Sequence, residues 1–129
     1  MLDVDFVIAV HDEIIAETGG LIGFAGGGRG GVESAIQRVD NHASYAGLDD
    51  VLGIAALYAL AIAKGHVFND GNKRTGLSCA LTYLERQNIE VPRDPILEEA
   101  TVALANGSMS QDDFAYLLGE LAGMDQPGD

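Results

Sequence analysis

Residues 51–74, VLGIAALYALAIAKGHVFNDGNKR, decide the fold. Their opening stretch, Val51 to Ala63, holds only apolar residues and one glycine. It falls well short of the roughly 20 residues that span a bilayer. With no polar face at any period, it reads as the central helix of a soluble core, buried on all sides. Asp49 is placed to cap its start, Gly65 ends it, and Lys64 complements its C-terminal dipole. Asn72-Lys73-Arg74 then open another helix, so His66 to Gly71 is a short loop between two helices.

Working outward, apolar residues recur at helical spacing. Val7, Val10 and Ile14 predict a first helix from Asp3 to Thr18, stopped by Gly19-Gly20. Residues 19–31 contain eight glycines, a stretch that holds regular structure only at an entropic cost and predicts a mobile loop. Val32, Ala35, Ile36 and Val39 predict a second helix from about Val32 to Tyr45, frayed over Asn41 to Gly47. Beyond the central pair, Leu77, Ala80, Leu81 and Leu84 continue the fourth helix to near Gln87-Asn88, with a short extended segment at Ile89 to Val91. Asp94-Pro95 opens a fifth helix through Leu97, Ala100, Thr101 and Leu104 to Asn106-Gly107. Ser110 and Asp113 form a capping-box pattern before Phe114, Leu117, Leu118 and Leu121. The sequence thus predicts an all-α protein, a single compact six-helix bundle over residues 1–123, with a disordered tail at 124–129.

Charge narrows the function. Twenty acidic against seven basic residues give a net charge of −13, which repels nucleic-acid phosphates and anionic membranes and predicts no direct binding to either. The lone Cys79 excludes a disulfide framework and a zinc knuckle. Met1 to Asp5 carries acids where a secretory signal carries lysine or arginine, so the expected location is the reducing cytoplasm. Against this background Lys64, Lys73 and Arg74 cluster around one loop, a local anion site in an acidic chain.

The loop's residues suit phosphate chemistry. A helix N-terminus presents unpaired N–H groups and partial positive charge, Gly71 admits close approach of an anion, and Lys73 and Arg74 add full charges. Asp70, the only acid in the segment, supplies the carboxylate that magnesium takes beside polyphosphate oxygens. His66 is suited to accept a proton from an attacking hydroxyl near neutral pH. Taken singly, each residue has a plainer reading: Asn72 as helix cap, Gly71 as turn former, His66 as a satisfied core residue. Their concentration in nine positions favours a site. Phe68 reads as a hydrophobic pin that docks the loop, Cys79 as a small core residue, and His11 and His42 as surface or hydrogen-bonded residues. Arg29, in the glycine-rich stretch, reads as a surface residue, since that stretch lacks the spacing of a Walker loop.

His66-Val67-Phe68-Asn69-Asp70-Gly71-Asn72-Lys73-Arg74-Thr75 resembles the Fic/Doc signature in its Doc version. Val10-His11-Asp12, Gly19-Gly20-Leu21, Glu33-Ser34-Ala35-Ile36 and Arg38 extend the likeness over nearly the whole chain. The resemblance implies that His66 is the general base, that Asp70 holds Mg2+, and that Gly71, Asn72, Lys73 and Arg74 cradle the phosphates of ATP. Adenylyl-transferring members usually carry glycine where this chain has Lys73, and a second arginine where it has Leu77. Lysine fills space open to inner phosphates, and the missing arginine removes a clamp on the far one. The resemblance therefore implies kinase-like transfer of the terminal phosphate.

By the same resemblance the substrate is a threonine of elongation factor Tu, whose modification arrests translation, and the inhibitor is a Phd-type antitoxin that folds as a helix into a groove of this toxin. The chain lacks the internal inhibitory motif, serine or threonine followed four residues later by glutamate, that some Fic enzymes carry. AMP transfer and a non-catalytic binding module are the alternatives. Lys73 speaks against the first, and the complete set of His66, Asp70, Asn72 and Arg74 against the second.

Overall fold

The computed structural model describes residues 1–46 and 50–124. Six helices run through them: α1 (Val4–Thr18), α2 (Gly28–Ala46), α3 (Val51–Ala63), α4 (Asn72–Arg86), α5 (Ile96–Asn106) and α6 (Gln111–Leu121). No strand forms among the described residues; the only β-like feature there is an isolated antiparallel bridge between Phe24 and Phe68. The fold is the expected all-α bundle. Ile89 to Val91 is irregular chain, with Ile89 and Val91 packed partly against the core.

The apolar helix α3 is the axis, in contact with α2, α4, α5 and α6 and most extensively with α4. Ile54 to Ala59 and Ala61 to Ala63 are all buried. The α3–α4 contact is close because small residues meet there. A Cβ added to Gly76 of α4 would lie 2.9 Å from the Ala59 carbonyl oxygen. The chain start is tied to the same axis, because the Leu2 N–H donates to the Tyr58 hydroxyl at 2.8 Å.

Helix boundaries follow local chemistry. Asp3 caps α1, accepting from the Phe6 N–H at 2.7 Å, and Ser110 caps α6, accepting from the Asp113 N–H at 3.1 Å. Asp94 accepts from the Ile96 N–H where α5 opens, and Gly107 closes it. Asp49 and residues 125–129 lie outside the described residues; Asp50 is the residue that precedes α3, and its side chain makes no capping bond.

Three expectations are corrected. First, α2 begins at Gly28 and stays helical to Ala46, through the described part of the stretch expected to fray, whose last residue, Gly47, lies outside the described residues. Burial of Val32, Ala35, Ile36 and Val39 outweighs the poor helix propensity of the leading glycines. Second, residues 19–27 are not a free loop but are paired to the 67–69 segment. The Ala25 N–H donates to the Val67 carbonyl, and the Asn69 N–H to that of Gly23. Third, the buried face of α1 is Val7, His11 and Ile15, while Val10 and Ile14 stay half-buried. A histidine takes the core position that the apolar pattern assigned one residue earlier. No helix among the described residues is long and apolar enough to cross a membrane.

Candidate active site

The site forms where α3 hands over to α4. His66 sits in the left-handed region at φ 54°, reversing the chain after α3 and leaving its own ring exposed. Such a conformation is uncommon for a residue with a side chain and is held here by its surroundings. Val67 and Phe68 then dive into the core, and Phe68 is almost wholly buried. Asn72 clamps it from behind. Its Oδ1 accepts from the Phe68 N–H and its Nδ2 donates to the Phe68 carbonyl, both at 2.9 Å. The expected hydrophobic pin is therefore locked by hydrogen bonds as well as by packing.

Between Phe68 and Asn72 the chain bulges outward, and Asp70 stands at its crest. Its carboxylate accepts from the Gly71 N–H at 3.0 Å and from the Leu21 N–H at 3.3 Å. Gly20 lies so close that a Cβ there would meet Asp70 Oδ2 at 2.7 Å, so the glycine-rich segment must present bare backbone at this point. The Asn69 side chain fixes the same segment by donating to the Ile22 carbonyl at 3.0 Å. On the inner side His11 Nε2 lies 2.8 Å from the Asp70 carbonyl oxygen. Its ring stacks on Phe68 with centroids 3.7 Å apart and planes 4° from parallel.

These elements surround one open cleft of about 470 Å³ lined by His66, Asn69 to Arg74, and the α1 end from Ile15 and Thr18 to Gly20. His66, Asp70, Gly71, Asn72, Lys73 and Arg74 are thus brought together. Gly71 precedes α4 in the left-handed conformation at φ 76°, and no side chain caps the helix. The first-turn N–H groups of α4 have no intrahelical acceptor. With Lys73 and Arg74 exposed beside them, they make a corner whose charge suits an anion. The Asn72 side chain is different: both its ends are engaged by Phe68, so it shapes the loop and leaves its backbone N–H for an anion.

The donor set fits a magnesium ion that arrives with polyphosphate. Asp70 offers an exposed carboxylate with two of about four lone-pair positions already taken. No group of three or more His, Cys, Asp or Glu able to hold a metal exists among the described residues. Magnesium bound through one or two carboxylates and phosphate oxygens needs no such cage.

Other candidates fall elsewhere. Arg29 pairs with Asp5 at 2.7 Å on the surface, Lys64 is the C-cap residue of α3 outside the cleft lining, and His42 faces Asp50 at 3.5 Å. Cys79 is buried and its thiol is pushed up to about 12 by desolvation. That makes it inert. Sequence reasoning missed His11 and the Gly20-Leu21 backbone. His11 is visible in retrospect as a polar residue at i+4 from Val7 and i−4 from Ile15; the backbone approach of Gly20 leaves no such trace.

The sequence profile of the Fic/DOC family matches residues 1–84, so the chain belongs to that family. It is similar to Protein kinase doc of Escherichia phage P1, with 40% identity over 117 residues that cover 91% of each chain.

Proposed function

We propose that this cleft transfers the terminal phosphate of ATP to a hydroxyl of a protein. The observation that carries the reading is the convergence of an exposed histidine, an exposed carboxylate, two cations and an uncapped helix start on one cleft. The name of the phage relative, Protein kinase doc, supports phosphate as the group transferred. So does Lys73, which by the family resemblance stands where AMP-transferring members carry glycine.

In this scheme His66 accepts the proton of the acceptor hydroxyl as its oxygen bonds to the terminal phosphorus. The bond from that phosphorus to its bridging oxygen breaks, and ADP leaves with the electron pair. The first-turn N–H groups of α4, Lys73 and Arg74 bind the phosphate oxygens and offset the charge that spreads over them. Asp70 would hold Mg2+, which neutralises part of the polyphosphate charge. Asn72 and Phe68 keep the loop in the shape that places these groups.

The likeness to the Doc branch further supports a toxin role, with a threonine of elongation factor Tu as acceptor and a Phd-type antitoxin as inhibitor in the cytoplasm. The test incubates the protein with elongation factor Tu, Mg2+ and ATP labelled at either the terminal or the α phosphate. The terminal label alone should move, and chelation of the metal should stop it. Movement of the α label alone would replace this reading with AMP transfer. If neither label moves while His66→Ala still arrests growth, the fold serves as a binding module.

A further inference from the structure

We infer that His11, which the reaction scheme uses neither as acid nor as base, is a positioning residue for the Asp70 carboxylate and the first turn of α4. The inference rests on the phosphate-transfer reading above. His11 is only 1% exposed, in the middle of the buried face of α1. Burying an imidazole is unfavourable unless its nitrogens are paired, and an apolar residue would fill the same core position without that cost. Its pairing is specific. Because a carbonyl only accepts, Nε2 carries the hydrogen and donates to the backbone oxygen of Asp70. Nδ1 faces the exposed Asp12 carboxylate at 3.2 Å.

The geometry explains why that one bond matters. The loop is fixed at its two ends by the Asn72 clamp on Phe68 and on its outer side by the glycine-rich segment; His11 holds the crest between them from the inner side. The Asp70 carbonyl belongs to the peptide unit that leads into Gly71. The same unit carries the Gly71 N–H that donates to the Asp70 carboxylate, so its rotation would turn the Gly71 amide where α4 begins and release that carboxylate. Stacking on Phe68 fixes the plane of the imidazole, so the donor is oriented before any ligand arrives. A Cβ on Gly71 would come within 3.6 Å of the ring's Cδ2, which shows how closely the crest lies against it. Groups that orient a metal ligand in this way are worth roughly 10- to 100-fold in metal affinity.

The test measures binding of Mn2+ together with a non-hydrolysable ATP analogue, by electron paramagnetic resonance, alongside thermal melting. His11→Leu fills the space without a donor; His11→Gln carries an amide N–H that reaches where Nε2 stands. Affinity should fall about tenfold or more in His11→Leu and largely return in His11→Gln, whatever the two melting temperatures are. Wild-type affinity in a folded His11→Leu protein overturns the inference, as does equal weakness of both variants. Should His11→Leu fail to fold, His11→Asn, too short to reach the Asp70 carbonyl, is compared with His11→Gln, and equal affinities overturn it. Absence of Mn2+–analogue binding in the wild type overturns the metal reading itself. The two failures are therefore distinct.

Discussion

The starts of α6 and α4 are built from opposite solutions to the same problem. Each helix opens with N–H groups that lack intrahelical acceptors. At α6 the Ser110 hydroxyl accepts from the Asp113 N–H, and acids at Asp112 and Asp113 complement the positive end of the helix. At α4 the preceding residue is a left-handed glycine, no side chain caps the turn, and it carries Lys73 and Arg74 in place of acids. Positive charge is added where the helix is already positive. The residues before α3 and α5 also supply no side-chain cap, but of these three helices α4 alone carries two cations in its first turn, an arrangement suited to an anion from outside.

Replacing His66, the base of the proposed reaction, breaks the contrast most severely. His66 is exposed and serves no packing role, so His66→Ala should lower phosphate transfer by about 10²- to 10⁴-fold while the melting temperature stays within a few degrees. Labelled terminal phosphate and calorimetry on the same preparation separate the two. Gly71→Ala comes next. A Cβ there would meet Ile15 Cδ1 at 3.1 Å in a backbone conformation, φ 76°, that L-residues avoid. It should cost about 1–2 kcal/mol of stability and weaken nucleotide binding, measured by denaturant unfolding and titration. Full retention of both would mean that the turn is not shaped for a ligand.

How much of this was legible in the sequence differs between the same regions. The α6 cap is a local pattern, Ser110 with Asp113, and could be read directly. The apolar run of α3 announced the core by itself, because no other environment accepts thirteen such residues within a 129-residue acidic chain. The motif residues were named from chemistry and resemblance. What joins them was not: the Gly20 approach to Asp70 and the His11 contact reach across as many as 59 positions, and the Asn72 clamp, though only four residues from Phe68, is hidden behind the plainer reading of Asn72 as a helix cap. The glycine-rich segment misled for a related reason. Local propensity predicts mobility there, whereas its pairing with residues 67–69 depends on partners that are distant in the chain.

Ser110→Ala sharpens the comparison from the other side. It should cost about 1 kcal/mol, a few degrees of melting temperature, and leave phosphate transfer unchanged. A loss of transfer comparable to that of Gly71→Ala would show that α6 and α4 are not functionally separate.

The smallest effect concerns the body of α4, one turn beyond its charged start. Burial holds the Cys79 thiol protonated up to about 12, against an ordinary value of 9.0. The unfolded chain releases that proton as pH passes 9, while the folded chain retains it. The unfolded state therefore binds fewer protons in this window, and stability, complete below pH 9, declines as pH rises toward 12. Tyr58 acts in the same sense from about 10 upward, because its burial also raises it to about 12. Between pH 9 and 10 the thiol dominates. Cys79→Ala should accordingly flatten the melting-temperature profile across that interval, even if it lowers the whole curve by leaving a small cavity. An unchanged slope would mean that the thiolate is accommodated in the core, and the division of α4 into a charged start and a dry body would fail.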